Sequence, residues 1–444
     1  MQTWLQLLLF FVVLTSISAR EKLLMVHTIF RHGDRTPVIT IPTDQINTPE
    51  SWPEGLGELT HRGVRQAFEL GQLFRNRYAR NPHYPYNILS QTYVNNQIYV
   101  RSSDYNRTLM SAQAFLMGLY PLNAVSLPSE WSRVRVPAQP VPVHTVSKAN
   151  EYLLRGYSVC KKADAMDWRE NEEYKSVEDK HKEFIKMLSE HTGITDLTIY
   201  DMYRVYDPLF VQSLHPAGHP FPDWVSPAIF ARIVAVMHES TSVYFHTAEL
   251  QRLCAGLLVT EITEHMMEAE RSGNTGQPKV YLYSAHDTTL CAVMEALGIY
   301  DDHYTGYAGA LTLELWHDPD NSDQQAIVKI YYRPNSTSDL DSMSLVPPRC
   351  PSHECPLTKF IERNNFLNVS LAQLETECAS DDQSSLTESL WLDKGISIFL
   401  LCATVILLLI CIALLIVIGL IWLKNRKSTS TDNRQNDEES LEQK

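Results

Sequence analysis

The sequence has no CxxC pair and no Cys/His spacing of the kind that builds a zinc site, so its cysteines do not read as a metal centre. No internal repeat and no long low-complexity stretch interrupts its 444 residues. That excludes a solenoid and predicts that most of the chain folds. A glycine-rich phosphate-cradling loop is absent from the middle of the chain. Positive charge is scarce: 38 Lys and Arg stand against 52 Asp and Glu, for a formal net charge of −14. A nucleic-acid partner needs a basic patch and is excluded on that balance. An anionic ligand would need a concentrated local positive site.

Charge is missing altogether from two segments. Residues 1–19, MQTWLQLLLFFVVLTSISA, carry no Lys or Arg, have an apolar centre and end in small residues. They read as a cleaved signal peptide. Residues 396–423 run for 28 positions without a charge, enough for one transmembrane helix. Lys424, Arg426 and Lys427 follow at once, which places the tail 424–444 in the cytoplasm and predicts a single-pass type I membrane protein. The tail has five basic and five acidic residues. The excess negative charge therefore belongs to the lumenal or extracellular part.

Over the whole chain 44% of residues are apolar, enough for a sizeable core. Residues 22–30, KLLMVHTIF, form a short apolar run that ends abruptly at Arg31-His-Gly-Asp-Arg-Thr-Pro, as a buried parallel strand feeding a loop does. Thr60 opens an amphipathic helix to about Tyr78. A strand over 97–100 ends at Arg101-Ser-Ser-Asp, and a helix through Leu109, Phe115 and Leu119 follows. Charged helical stretches dominate 134–251. Strand and helix then alternate again: 279–284, 288–297, 309–316 and 326–332. The pattern predicts an α/β fold with a mainly parallel sheet, some antiparallel edge and a smaller, mostly helical domain. The expected segments are a core first part at 20–133, a helical cap at 134–251, a core second part at 252–346 and an irregular cysteine-bearing stalk at 347–395. Six cysteines lie in this exported part, Cys160, Cys254, Cys291, Cys350, Cys355 and Cys378, an even set that favours disulfides. The sequons at Asn335 and Asn368 sit in loop-like surroundings suited to glycosylation.

Three polar clusters each follow the C-terminal end of an expected strand: Arg31-His32-Gly33-Asp34-Arg35, Arg101-Ser102-Ser103-Asp104 and His286-Asp287. Ligand sites of open α/β sheets form there. Pooled, Arg31, Arg35 and Arg101 would hold the oxygens of a phosphoryl group through their planar forks. The same cations would lower the pKa of His32 and keep it neutral and nucleophilic. Asp287 would protonate the leaving oxygen. A second His-Asp pair, His317-Asp318, sits in a turn sequence and reads as solvent-facing, while His27 and His144 read as structural.

With these residues in view, the chain resembles the histidine acid phosphatases of the high-molecular-weight branch, over roughly residues 22 to 390. Phe30-Arg-His-Gly-Asp-Arg-Thr-Pro37 is the signature, and Tyr283-Ser-Ala-His-Asp-Thr-Thr289 matches the second catalytic segment. The resemblance implies a metal-independent acid phosphatase without cofactor. Its expected fold is a three-layer, phosphoglycerate-mutase-like core, and a homodimer is plausible. It makes His32 the nucleophile and Asp287 the proton donor, with Arg31, Arg35, Arg101 and His286 on the phosphate. It further implies the disulfides Cys160–Cys378 and Cys350–Cys355 and leaves Cys254 and Cys291 unpaired. The tail has no tyrosine, so the Tyr-based sorting signal of the family's lysosomal member is missing. Two other readings stand beside this one: an inositol-phosphate phosphatase or phytase-like enzyme, and a catalytically silent membrane ectodomain.

Overall fold

A computed structural model describes residues 21–80, 86–122, 139–165, 172–300, 304–317, 325–379, 404–410 and 412–422. The signal peptide expected at 1–19, the tail 424–444 and the ends of the expected span lie outside the described residues.

The chain forms β1 (Lys22–Arg31), α1 (His61–Tyr78), β2 (Ile98–Ser102) and α2 (Asn106–Leu119). It continues through α3 (Tyr152–Val159), α4 (Lys161–Ala165), α5 (Glu172–Thr192), α6 (Tyr203–Leu214), α7 (Pro227–Tyr244) and α8 (Ala248–Ser272). Then come β3 (Val280–Ala285), α9 (Asp287–Ala296), β4 (Ala310–His317), β5 (Ala326–Arg333), β6 (Met343–Leu345), β7 (Cys355–Pro356), α10 (Leu357–Asn364) and α11 (Leu371–Cys378).

One sheet organises the body, in the order β2-β3-β1-β4-β5-β6, with β7 also on β5. It is mixed rather than mainly parallel, which corrects the sequence expectation. The pairs β2/β3 and β1/β3 are parallel, while β4 and β5 and their neighbours pair antiparallel. The reason lies in connections. The first strands are joined by helical crossovers, but β4 and β5 are separated by only eight residues in sequence, too few for the crossover that a parallel pair needs. The central strand β1 is buried along nearly its whole length, which is why it reads as a continuous apolar run rather than an alternating one.

Helices cover both faces. On one, Leu70, Phe74 and Tyr78 of α1 and Phe115 and Leu119 of α2 pack on Val26, Phe30, Val100 and Leu282. On the other, Leu258 and Ile262 of α8, Leu290 and Val293 of α9 and Phe360 of α10 pack on Met25, Ile29, Tyr283 and Leu313. The sequence signs behind these helices are plain: Thr60 caps α1 by accepting from the Gly63 amide, and Ser226 caps α7 ahead of Pro227. Helices α5, α6 and α7 build a separate apolar cluster around Phe184, Leu188, Met202, Leu209, Ile233 and Val236.

The segment expected to be an irregular stalk is ordered structure through Cys378. Leu357, Phe360, Leu367 and Leu374 are buried in the body's own core. Two disulfides, Cys160–Cys378 and Cys350–Cys355, are present, and Cys254 and Cys291 are unpaired and buried. Burial of apolar side chains at helical spacing therefore ties down a stretch whose short elements had no clear periodic signal. Asn335 and Asn368 are exposed.

Residues 379–444 form a second unit. Its described part is the helix Thr404–Trp422, of 19 residues and mean hydropathy 3.4, with none of it buried in protein. Its length and composition suffice to cross a membrane.

Candidate active site

The parallel half of the sheet fixes the site. Arg31 at the end of β1 pairs with Ala285 at the end of β3, and Ser102 of β2 pairs with Ser284. The ladder then runs one residue further: the His32 amide donates to the Ala285 carbonyl and the Ser103 amide to that of Ser284. His32, Ser103 and His286 are thereby set side by side just past three adjacent strand ends. Gly33 is required by packing. A Cβ there would stand 2.2 Å from the Gly63 carbonyl oxygen, so only glycine lets the loop lie against the start of α1.

His32 is 1% exposed. Its Nδ1 lies 2.8 Å from the Gly33 carbonyl oxygen. A carbonyl can only accept, so Nδ1 carries the proton and Nε2 keeps the lone pair. Burial above all, then Arg107, Arg31, Arg35 and His286, holds its pKa well below the usual value. His286 is lowered in the same way by burial and then by Arg107, and its Nε2 lies 2.8 Å from the Ser103 hydroxyl. The two imidazoles meet edge to face at 5.6 Å.

The arginines are held individually. Arg31 forms a 2.6 Å ion pair with Asp287, donates to the Thr305 carbonyl at 2.7 Å and lies 4.2 Å from the Tyr307 ring centroid. Arg35 forms a 2.6 Å ion pair with Asp207, brought in from α6. Asp287 opens α9. Burial raises its pKa, but Arg31, a hydrogen bond with Tyr304, Arg35 and His286 outweigh burial and hold the carboxyl below its ordinary value. Asp34 turns away from the pocket to accept from Thr60 and to meet His215 at 2.8 Å. It positions the loop.

Arg101 is the exception among the expected site residues. It still belongs to β2, and its guanidinium lies against both carboxylate oxygens of Glu151 at 3.0 and 3.1 Å. Arg107, on the first turn of α2, is the third arginine of the pocket wall. Alternation along β2 sends successive side chains to opposite faces, and a strand-end position in sequence does not say which face wins. The signal for Arg107 was its place one helical turn past the Ser103-Asp104 loop.

Arg31, His32, Arg35, Arg107, Arg155, Asp207, His286 and Asp287 share a cavity of about 510 Å³. Its outer wall is aromatic and apolar, with Tyr203, Tyr206, Met237, Tyr244 and Phe245 from the helical side. The Nε atoms of Arg31, Arg35, Arg107 and Arg155 are buried and have no hydrogen-bond partner. Unsatisfied buried donors are rare in folded proteins and call for an explanation. Four of them line one cavity, which favours an anion there. Among the described residues no cluster of His, Cys, Asp and Glu could hold a metal ion.

A strand-end histidine between arginines, with an ionisable His-Asp pair beside it, is the arrangement of a phosphoryl-transfer site. Residues 22–333 match the family model of the histidine phosphatase superfamily (branch 2), and the chain belongs to that family. Within it, the chain is similar to lysosomal acid phosphatase of Homo sapiens, 34% identical over 375 residues that cover 83% of each chain. It is likewise similar to prostatic acid phosphatase of Mus musculus, 36% identical over 366 residues, covering 81% of this chain and 89% of the relative. A solved phytase structure from Hafnia alvei superposes with a TM-score of 0.57 at 17% identity, over 80% of this chain and 99% of that one. That likeness shows the fold alone.

Proposed function

We propose that this chain is an acid phosphatase that hydrolyses phosphate monoesters through a covalent phosphohistidine on His32. The observation that carries the reading is the ring of unsatisfied buried arginine donors around a neutral imidazole. Arg31, Arg35, Arg107 and His286 bind the phosphoryl oxygens, and their preorganised donors stabilise the charge that develops there. His32 Nε2 attacks phosphorus, and the bond to the ester oxygen breaks. That oxygen leaves as the alcohol after taking a proton from Asp287. Water then cleaves the phosphorus–nitrogen bond, with the Asp287 carboxylate accepting its proton.

The depressed pKa of Asp287 in the resting site poses a question, since a general acid must carry a proton. The substrate supplies it. A phosphate monoester has its second pKa near ~6, so in acid it arrives as the monoanion. Its oxygens compete for the Arg31 fork, and its negative charge raises the carboxyl's pKa. The proton then passes to Asp287. An acidic optimum is expected from this route.

The catalytic unit is lumenal or extracellular and is anchored by residues 396–423 with the tail in the cytoplasm. The apolar helix Thr404–Trp422 and the cations directly after it support that orientation. Protease added outside intact cells would digest a cell-surface catalytic unit and spare a tail epitope, whereas protease added to sealed intracellular vesicles would remove the tail epitope and spare the lumenal catalytic unit.

Rapid quench with labelled substrate tests the chemistry. Label should be trapped in an acid-labile, alkali-stable bond, and His32→Ala should trap none. Label on a serine or cysteine would overturn the reading. Asp287→Asn should slow an alkyl phosphate about a hundredfold, and an aryl phosphate with a good leaving group much less. Equal losses would remove the proton-donor role.

A further inference from the structure

Beside the phosphate cradle the ring of Tyr105 carries three cations. The guanidinium carbons of Arg107 and Arg155 lie 4.4 and 4.7 Å from its centroid, and the Lys148 ammonium 4.1 Å. The same ring meets His286 edge-on at 5.2 Å, so this group adjoins the site. Like charges repel, and gathering them in one place needs counter-charge. Arg31 and Arg35 have theirs in Asp287 and Asp207. Among the described residues no ion pair is formed by Arg107, Arg155 or Lys148.

Arg155 is held in place by the fold. α3 leaves helical geometry at this residue, with φ −142° and ψ 35°. The next residue, Gly156, lies against α8, where a Cβ would stand 2.7 Å from the Cys254 carbonyl oxygen. The Arg155 guanidinium donates to the Ser158 hydroxyl at 2.8 Å, while its buried Nε has no partner. Arg155 and Ser158 both line the cavity, and Lys148 is exposed.

Under the phosphatase reading, Arg107 serves the scissile phosphate. Arg155 and Lys148 then remain, and neither forms an ion pair among the described residues. The geometry points to a second anion subsite on Arg155 and Lys148, which selects phosphate monoesters whose leaving group bears another anionic group, a carboxylate or a further phosphate. Arg155 makes the contact with that group, and the exposed Lys148 draws it in. The aromatic wall accommodates whatever skeleton joins the two anions.

The test uses the full-length protein in detergent and two matched substrate pairs. One is phenyl phosphate with 4-carboxyphenyl phosphate; the other is propyl phosphate with the bisphosphate of 1,3-propanediol. The readout is the ratio of kcat/KM within a pair. Wild type should favour the doubly anionic member by about tenfold at low salt, roughly one charge-assisted hydrogen bond in a partly wet site. A preference in either pair supports the subsite and says which anion it takes. Arg155→Gln should bring the ratio near one, Arg155→Lys should keep part of it, and Lys148→Gln should lower it and weaken its salt dependence. A wild-type ratio of one in both pairs overturns the subsite. So does an Arg155→Gln variant that slows both members of a pair equally, since Arg155 would then act on the scissile phosphate. Were Arg155→Gln not to fold, the exposed Lys148 variant carries the test, and an unchanged ratio overturns the subsite. Failure of wild type to turn over any of the four substrates would instead refute the phosphatase reading.

Discussion

The two halves of the sheet do different work with the same kind of buried charge. The parallel half, β2-β3-β1, ends at the pocket, where Arg31, His32 and His286 stand at the strand ends and the Arg31 Nε has no partner. The antiparallel half also buries a charge. Glu314 of β4 is 0% exposed, but it is closed off. Arg77 meets it at 3.0 Å, the Tyr78 hydroxyl donates to it at 2.5 Å and the Trp316 indole at 2.9 Å. A satisfied buried network rigidifies, whereas an open one waits for a ligand. Parallel strands leave their C-terminal ends together, so loops can converge there. Antiparallel neighbours put successive strand ends on opposite edges.

Removing His32 tests the open half most severely. His32→Ala should lower kcat by about 10⁴-fold or more while the thermal midpoint stays near wild type. A variant that kept a tenth of the activity would remove the distinction between the halves. Glu314→Ala should do the reverse. Taking one partner from a buried charged network costs about 3–5 kcal/mol, read as a lowered urea midpoint, and turnover of the remaining folded protein should be unchanged. Loss of activity without loss of stability would show that the halves are coupled.

A pair of arginines sharpens the comparison inside the parallel half. Arg107→Gln removes a buried donor from the pocket and should reduce kcat/KM about a hundredfold. Arg101→Gln should change kcat/KM by less than about fivefold. Its cost should appear in stability, because Glu151 is left buried without its cation. Activity losses in the opposite order would return Arg101 to the site.

That pair also marks how far the sequence could be read. Arg31, His32, Arg35, His286 and Asp287 could be grouped because each stands next to an abrupt end of an apolar run, a local pattern. The partners that hold them were invisible for the opposite reason. Asp207 reaches Arg35 from 172 positions away and His215 reaches Asp34 from 181, and no periodicity encodes a contact of that span. The antiparallel part was expected only as an edge and proves larger, because an apolar run fully buried on both faces looks alike in either direction. The stretch from Leu357 to Cys378 looked irregular because its helices are eight residues each, too short to repeat a pattern.

The smallest effect concerns the seam between the halves. β1 pairs parallel with β3 and antiparallel with β4; one buried neutral histidine, His27, stands on it and another, His32, just past its end, for different reasons. At His32 neighbouring cations reinforce burial. At His27 burial leads and the second influence is His265 of α8, whose Nδ1 lies 3.2 Å from the His27 Nε2. Burial also pushes His265 down to about 4. The unfolded chain takes up this proton near ~6.5, so between pH 6.5 and 4 the unfolded state binds more protons and stability falls as pH falls. His265→Asn removes that uptake. Its urea midpoint should therefore decline less steeply than wild type's over this window, by up to one proton's worth of slope, while activity at pH 5 stays within about twofold. Parallel slopes for the two proteins would mean that His265 does not set the acid limit of the fold.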